Sequence, residues 1–468
     1  MDSTASPLFE KTAKIYPQRI AGRFRTIKWL VLALLLGIYY LVPWLRWDRG
    51  PNAPDQAILI DMPGRRAYFL WIEIWPQEVY YLAVLLILGA FGLFLATALL
   101  GRVWCGYTCP QTVWTDLFLL VERWIEGDRN RRMKLDKSSW DIHKLGLKAA
   151  KHAAWLIIAV LTGGAWVMYF NDAPTLFQDL FHGRASLTQY GFIGLFTGTT
   201  YLLAGWAREQ VCIYMCPWPR FQSAMFDEHT MLVTYETWRG EPRGHAKQGQ
   251  SFEGRGDCID CGLCVRVCPT GVDIRDGQQM ACIGCGLCID ACNSIMQKIG
   301  RPQELITYDS LYNQDQRAVG RPLRRPFIRM RTILYATIMV MIAVPTLLVL
   351  SHRATLELAI QADRAPLFVR LSNGDIQNGY NLKVMNKQRQ QVNYRIDVEG
   401  ADGLQYKLIG QSPTALAVDG DSIGTFRLLV HIARQNLRQK STPIVMTITN
   451  IHTGEQSHHE AIFSSPGS

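Results

Sequence analysis

The sequence predicts a multidomain α+β membrane protein: a five-helix transmembrane bundle, a compact cysteine-rich insert on its cytoplasmic side, and a C-terminal immunoglobulin-like β-sandwich. Three observations carry that expectation. Five uncharged apolar runs are long enough to cross a bilayer, eight of the twelve cysteines crowd between Cys258 and Cys292, and the tail after residue 351 alternates apolar and polar residues with period two. A mean hydropathy of +0.02 with only 19% charged residues is too apolar for an ordinary soluble enzyme.

A helix crossing roughly 30 Å of hydrocarbon needs about 17 to 25 mostly apolar residues. Such runs lie at Trp29–Leu45, Val79–Gly101, Ala153–Phe170, Ala185–Ala207 and Thr332–Ser351. The first is long and no small-residue cleavage site follows it, so it reads as a retained span. The shorter FLWIEIW, Phe69 to Trp75, contains Glu73 and reads as an interfacial, aromatic-rich approach to the second span.

The net charge of +10 is explained by where the cations fall. Lys11, Lys14, Arg19, Arg23, Arg25 and Lys28 precede the first run, and Arg123, Arg129, Arg131, Arg132, Lys134 and Lys137 separate the second from the third. Arg321, Arg324, Arg325, Arg329 and Arg331 precede the last. The positive-inside rule puts all three groups in the cytoplasm. The expected organisation is therefore a cytoplasmic segment 1–28, four helices with their loops over 29–207, a cytoplasmic segment 208–331, a fifth helix over 332–351 and an exported domain over 352–468. Membrane lipid is the expected surrounding, and no nucleic-acid partner is expected, because basic and aromatic residues are not interleaved; Arg434, Arg438 and Lys440 read as a solvated face.

The strongest signal is CIDCGLCVRVCP, from Cys258, followed by CIGCGLCIDAC, from Cys282. The spacing C-x-x-C-x-x-C-x-x-x-C, present twice, is the bacterial ferredoxin arrangement for two [4Fe-4S] clusters, in which three thiolates come from one run and the fourth from the other. One cluster is expected on Cys258, Cys261, Cys264 and Cys292, the other on Cys282, Cys285, Cys288 and Cys268, in a ferredoxin domain at about 250–300. Gly262 and Gly286 follow the second cysteine of each run, where freedom from Cβ crowding lets backbone amides turn toward the sulfurs. Two four-cysteine zinc sites are the competing reading, but zinc ribbons do not ordinarily repeat this run. Haem is not expected: only His152 abuts a span, and no C-x-x-C-H is present.

The remaining four cysteines form CGYTCP, Cys105 to Pro110, and CIYMCP, Cys212 to Pro217. They follow the inward ends of the second and fourth spans, at equivalent depths on one face of the membrane. If the helices continue, residues four apart share a face, so both pairs can point at one object. Free cysteines are often small apolar fillers, yet here spacing and trailing proline are duplicated, and disulfides are disfavoured in a reducing compartment. Converging thiolates make a soft site that selects copper(I), zinc or an iron-sulfur cluster over hard cations, with Met215 able to add a thioether. Beside an iron-sulfur reductant, copper(II) reaching Cys105, Cys109, Cys212 and Cys216 would be reduced, because the ligands favour the product oxidation state. Trp104, Trp114 and Trp218 read as interface markers.

In the tail, VNYRIDVEG from Val392, IGTFRLLVHI from Ile423 and PIVMTITNIHTG from Pro443 alternate as antiparallel strands do, and about seven such runs suit a sandwich.

Taken together, GRVWCGYTCPQTVW from Gly101, CIYMCPWPRFQSAMFDE from Cys212, the paired ferredoxin runs and DRAPLFVRLSNGDIQNGYNLKVMNK from Asp363 resemble the FixG/RdxA/CcoG family of cytochrome c oxidase accessory proteins across essentially the whole chain. The resemblance implies a bacterial inner-membrane protein that assists assembly of a cbb-type oxidase and reduces copper(II) to copper(I) for it, with assembly factors or oxidase subunits as partners and an unidentified electron donor. Two other readings stand beside it: a polyferredoxin-type subunit passing electrons from quinol to a respiratory partner, and a non-enzymatic copper chaperone or scaffold. Spacing leaves open whether copper is held within one chain or across a homodimer.

Overall fold

A computed structural model describes residues 14–245, 252–324, 327–437 and 439–466. Lys11, Arg325 and Arg438, and positions 250 and 251 of the expected ferredoxin tract, lie outside the described residues. The chain divides into two units, Met1–Leu45 with Gln56–Thr346 and Arg46–Asp55 with Leu347–Ser468.

Among the described residues four helices are long and apolar enough to cross a membrane: Arg23–Trp44, Pro76–Leu100, Ile142–Met168 and Met330–Ser351. They contain or closely match the first, second, third and fifth expected runs. The third starts earlier than its apolar run because Asp141 caps it, accepting from the amide of Lys144. The fourth expected run is helical but not uniformly so. A Ser186/Gln189 capping box opens an α-helix at Leu187–Thr200, and the chain continues as a π-helical stretch over Tyr201–Ala207.

FLWIEIW is not a simple approach to a span. Arg66–Phe69 and Ile72–Ile74 are strands of a three-stranded antiparallel sheet with Ile58–Asp61. The acid that interrupted the apolar pattern is satisfied there, since Arg66 pairs with Glu73 at 3.0 Å.

The region expected as a basic cytoplasmic loop holds a 17-residue helix, Pro110–Glu126. It runs antiparallel along Ile142–Met168. Trp114 Nε1 donates to Thr162 Oγ1 at 2.9 Å, Phe118 and Trp155 stack with centroids 5.3 Å apart, and Glu126 pairs with Lys151 at 3.0 Å. Its carboxylates draw in Arg25, Lys28 and Arg132, counted above as topology signals, and Arg208. Asp116 pairs with Arg25 at 3.0 Å and Lys28 at 3.6 Å; Glu122 pairs with Arg132 at 2.8 Å and Arg208 at 3.1 Å. These six side chains are buried, so each charge is held by its partner rather than by water.

The ferredoxin tract is built on helices Leu263–Val267 and Leu287–Lys298 and a two-stranded antiparallel pair, Leu232–Tyr235 with Ile306–Asp309. Val233, Ile274, Ile289, Met296, Leu305 and Ile306 form its core. The N-terminal segment is stitched to it: the Gln18 amide donates to Arg266 O at 2.8 Å, and the Asp290 carboxylate accepts from the amides of Phe24 at 3.2 Å and Arg25 at 2.8 Å. Helix-start amides have no partner within their own helix. Asp290 supplies one from a distant part of the chain.

The second unit is a β-sandwich. One sheet orders its strands Gln405–Ile409, Ser422–Ile432, Ile376–Asn386, Leu356–Ala362, with Val369–Arg370 beside Ile376–Asn386; the other runs Leu416–Val418, Val392–Glu399, Ser441–Asn450, Gln456–Ser464. Tyr380, Leu382, Val384, Tyr394, Ile396, Leu428, Val430, Ile444 and Met446 fill the space between the sheets. All three quoted runs are strands. Val369–Arg370 and Leu416–Val418 are too short to display an alternation in the sequence.

Candidate redox site

The two ferredoxin runs fold alike at their centres. Gly262 at φ 63° and Gly286 at φ 72° each stand immediately before a helix in the left-handed region, where a side chain would be strained. The runs exchange their last cysteines. Burial pushes the Cys292 thiol up to about 12, and its charged neighbours are Cys264, Cys258 and Cys261 of the other run. Burial likewise pushes Cys285 up to about 12, with Lys28, Cys268 and Cys282 acting on it, and raises Cys288, on which Cys285, Cys282 and Cys268 act more strongly than Cys264 of the other run. Cys258, Cys261 and Cys264 thus stand with Cys292, and Cys282, Cys285 and Cys288 with Cys268. The donor set fits iron-sulfur clusters. Among the described residues no three His, Cys, Asp or Glu close on a single ion, neither in the ferredoxin runs nor in the C-x-x-x-C-P pairs; a [4Fe-4S] cluster spreads four thiolates over four irons.

The duplicated pairs lie in one neighbourhood without closing on a single ion. Burial first, with Cys109, Cys212 and Cys216 adding to it, pushes the Cys105 thiol up to about 12 against the opposing charge of Arg102. Burial pushes Cys212 up to about 11, with Cys109 and Cys216 beside it. The local geometry differs from the expected α-helical face. Both motifs are π-turns, Trp104–Thr108 and Val211–Met215, closed by Cys109 N to Trp104 O at 2.9 Å and Cys216 N to Val211 O at 2.8 Å. The trailing proline explains the end of each turn, because the residue before proline is pushed out of the α region. Cys109 and Cys216 accordingly have ψ 129° and 121°.

Residues that spacing did not mark complete the site. Cys105 Sγ lies 3.2 Å from Gln222 Oε1. Arg102 donates through Nη1 to Cys282 O at 2.6 Å and to Met280 O, and through Nη2 to Pro219 O at 3.1 Å. Tyr107 Oη donates to Cys285 O at 2.9 Å. A Cβ on Gly106 would meet Ile283 O at 3.0 Å and Cys285 Cα at 3.1 Å. The first motif therefore lies directly on the second ferredoxin run. His152 is engaged elsewhere, with Nδ1 2.8 Å from Tyr201 Oη and its ring stacked on Trp206.

Apolar helices together with grouped cysteines, eight of them in ferredoxin spacing, define a class: iron-sulfur electron-transfer proteins of the membrane. Comparison narrows it. Family models match at residues 82–131 (4Fe-4S binding domain), 207–311 (4Fe-4S dicluster domain) and 346–466 (IG-like fold at the C-terminus of FixG). The chain is 46% identical to Protein RdxB of Cereibacter sphaeroides over 100% of its own length and 99% of the relative's. It is 50% identical to Protein RdxA of the same organism over 91% of its length and 90% of the relative's, and 44% identical to Nitrogen fixation protein FixG of Rhizobium meliloti over 98% and 94%. The chain belongs to the FixG/RdxA family.

Proposed function

We propose that this protein takes electrons from an unidentified donor into two [4Fe-4S] clusters and reduces copper(II) to copper(I) at Cys105, Cys109, Cys212 and Cys216, in support of cytochrome c oxidase assembly. One observation supports the reading: thiols of two distant motifs lie in one neighbourhood, and the first motif packs on a ferredoxin run. Cys258, Cys261, Cys264 and Cys292 would hold one cluster, and Cys282, Cys285, Cys288 and Cys268 the other. When bound, the clusters supply one-electron reduction. The four thiolates receive copper(II), which gains one electron, and they hold the product because soft sulfur favours copper(I). Counting Leu187–Ala207 as a span gives five crossings of a bacterial inner membrane, with the ferredoxin cytoplasmic and the sandwich periplasmic, in line with the positive-inside rule. Support of oxidase assembly rests on the family resemblance.

The test is a colorimetric copper(I) assay on anaerobically reduced, purified protein. Cys105→Ala and Cys212→Ala are each expected to drop copper(I) formation to background while the iron-sulfur absorbance stays. Undiminished reduction by both variants would sink the proposal.

A second reading has its own support. The match at residues 82–131 is to a 4Fe-4S binding domain and includes Cys105 and Cys109, so four grouped thiols also suit a third cluster. Iron analysis separates the two: about eight iron atoms per chain for two four-iron clusters, about twelve for three.

A further inference from the structure

Only one of the two ferredoxin runs packs, among the described residues, against the Arg102–Cys109 stretch. We propose that Arg102 is the positioning residue that couples the four thiols to the Cys282–Cys288 run, making that run's cluster the exit of the relay and the Cys258–Cys264 cluster its entry; this rests on the reading above.

The placement begins with backbone geometry. The helix Tyr80–Leu100 ends at Gly101, whose φ of 58° and whose approach to Met231 O, 2.5 Å from where a Cβ would sit, exclude a side chain. The turn directs Arg102 inward, leaving it 6% exposed. Its guanidinium then bridges two distant stretches, Met280 and Cys282 on one side and Pro219, three residues past Cys216, on the other. A planar fork with several donors makes such a bridge where a lysine makes one point contact.

The bridge is one-sided. Among the described residues, the hydrogen bonds from the Arg102–Cys109 stretch to the ferredoxin runs end on Met280, Cys282 and Cys285, all in or beside the second run. The backbones touch there as well: Gly106 lies against Ile283 and Cys285, and a Cβ on Gly284 would meet Arg102 Cβ at 3.1 Å. The Arg102 charge faces both Cys282 and Cys105. A fixed cation beside thiolate-bound iron favours the reduced, more negative state, since net charge and hydrogen bonding set cluster potentials. Cys282, Cys285, Cys288 and Cys268 would hold the cluster that supplies one electron to one copper(II), and Cys258, Cys261, Cys264 and Cys292 would hold the one that replenishes it.

The experiment is a redox titration of the iron-replete protein followed by electron paramagnetic resonance, with copper(I) formation measured alongside. Arg102→Gln is expected to lower one of the two midpoint potentials, to leave the other in place and to slow copper reduction. In a Cys292→Ala background, which removes the entry cluster, the surviving potential is the one that falls. Arg102→Lys keeps the charge and is expected to restore the potential while leaving copper reduction slow, because the fork is lost. Potentials unmoved by Arg102→Gln, or both moved equally, would overturn the assignment. If Arg102→Gln does not load iron, Tyr107→Phe decides: slower copper reduction at full iron content supports the coupling, and an unchanged rate overturns it. A wild-type protein that does not reduce copper defeats the function proposed above, yet the potentials still test Arg102.

Discussion

Cys292→Ala is expected to remove about half of the ferredoxin iron, and Cys268→Ala the other half, with the losses crossed between the two runs. Each final cysteine lies among the first three of the opposite run: Cys292 beside Cys264, Cys258 and Cys261, and Cys268 beside Cys282, Cys285 and Cys288. Pairs of variants read the pairing directly. Cys258→Ala with Cys292→Ala strikes one cluster twice and leaves about four irons, one cluster's worth, whereas Cys258→Ala with Cys268→Ala strikes both and leaves almost none. Iron and acid-labile sulfide analysis of the purified proteins checks this. The opposite ranking of the two double variants would show that each run closes its own cluster.

Glu122→Ala is expected to be the most destabilising single change outside the cysteines. The carboxylate is 2% exposed and faces Arg132 at 2.8 Å, Arg208 at 3.1 Å and Lys151 at 3.8 Å. Removing one partner of a buried ion pair leaves uncompensated charge and costs about 3–5 kcal/mol. The matching control is Asp397→Asn on the sandwich, whose partner Arg395 is 52% exposed; exposed pairs contribute about 0–1 kcal/mol. Thermal melts in detergent should show a large drop for the first and almost none for the second. Acid gives an independent check. Burial alone would raise the Glu122 carboxyl, but Arg208 and Arg132 outweigh it and hold the group below the usual carboxylate range. Its contribution is then complete above the unfolded value of about 4.3 and fades as pH falls toward the depressed folded value. Stability of the wild type that is indifferent to acid over that window would contradict the network.

Much of this architecture was legible in the sequence because its signals are local. Apolar length marked four of the helices, and cysteine spacing marked both ferredoxin runs. Period-two alternation marked Val392–Glu399 and Ser441–Asn450. What escaped depends on partners far along the chain. Pro110–Glu126 reads as polar because its acids count against a membrane helix, and only the cations of other helices make them compatible with burial. Glu73 misled for the same reason, its partner Arg66 being across a hairpin. The two C-x-x-x-C-P motifs could be paired by likeness, yet their π-turns come from a proline effect on the preceding residue rather than from helical periodicity. Arg102, Gly106, Tyr107 and Gln222 carry no spacing at all; their roles exist only once the second run is laid against them.

The Asp290 cap on Phe24 and Arg25 bridges 265 residues in the case of Arg25, and that separation sets an order of maturation. During synthesis the first apolar helix leaves the ribosome long before its capping carboxylate exists. Its leading amides stay open until the second ferredoxin run has folded. Residues 14–22 thereby become a late-closing latch, which proteases would find loose on newborn molecules and shut on finished ones.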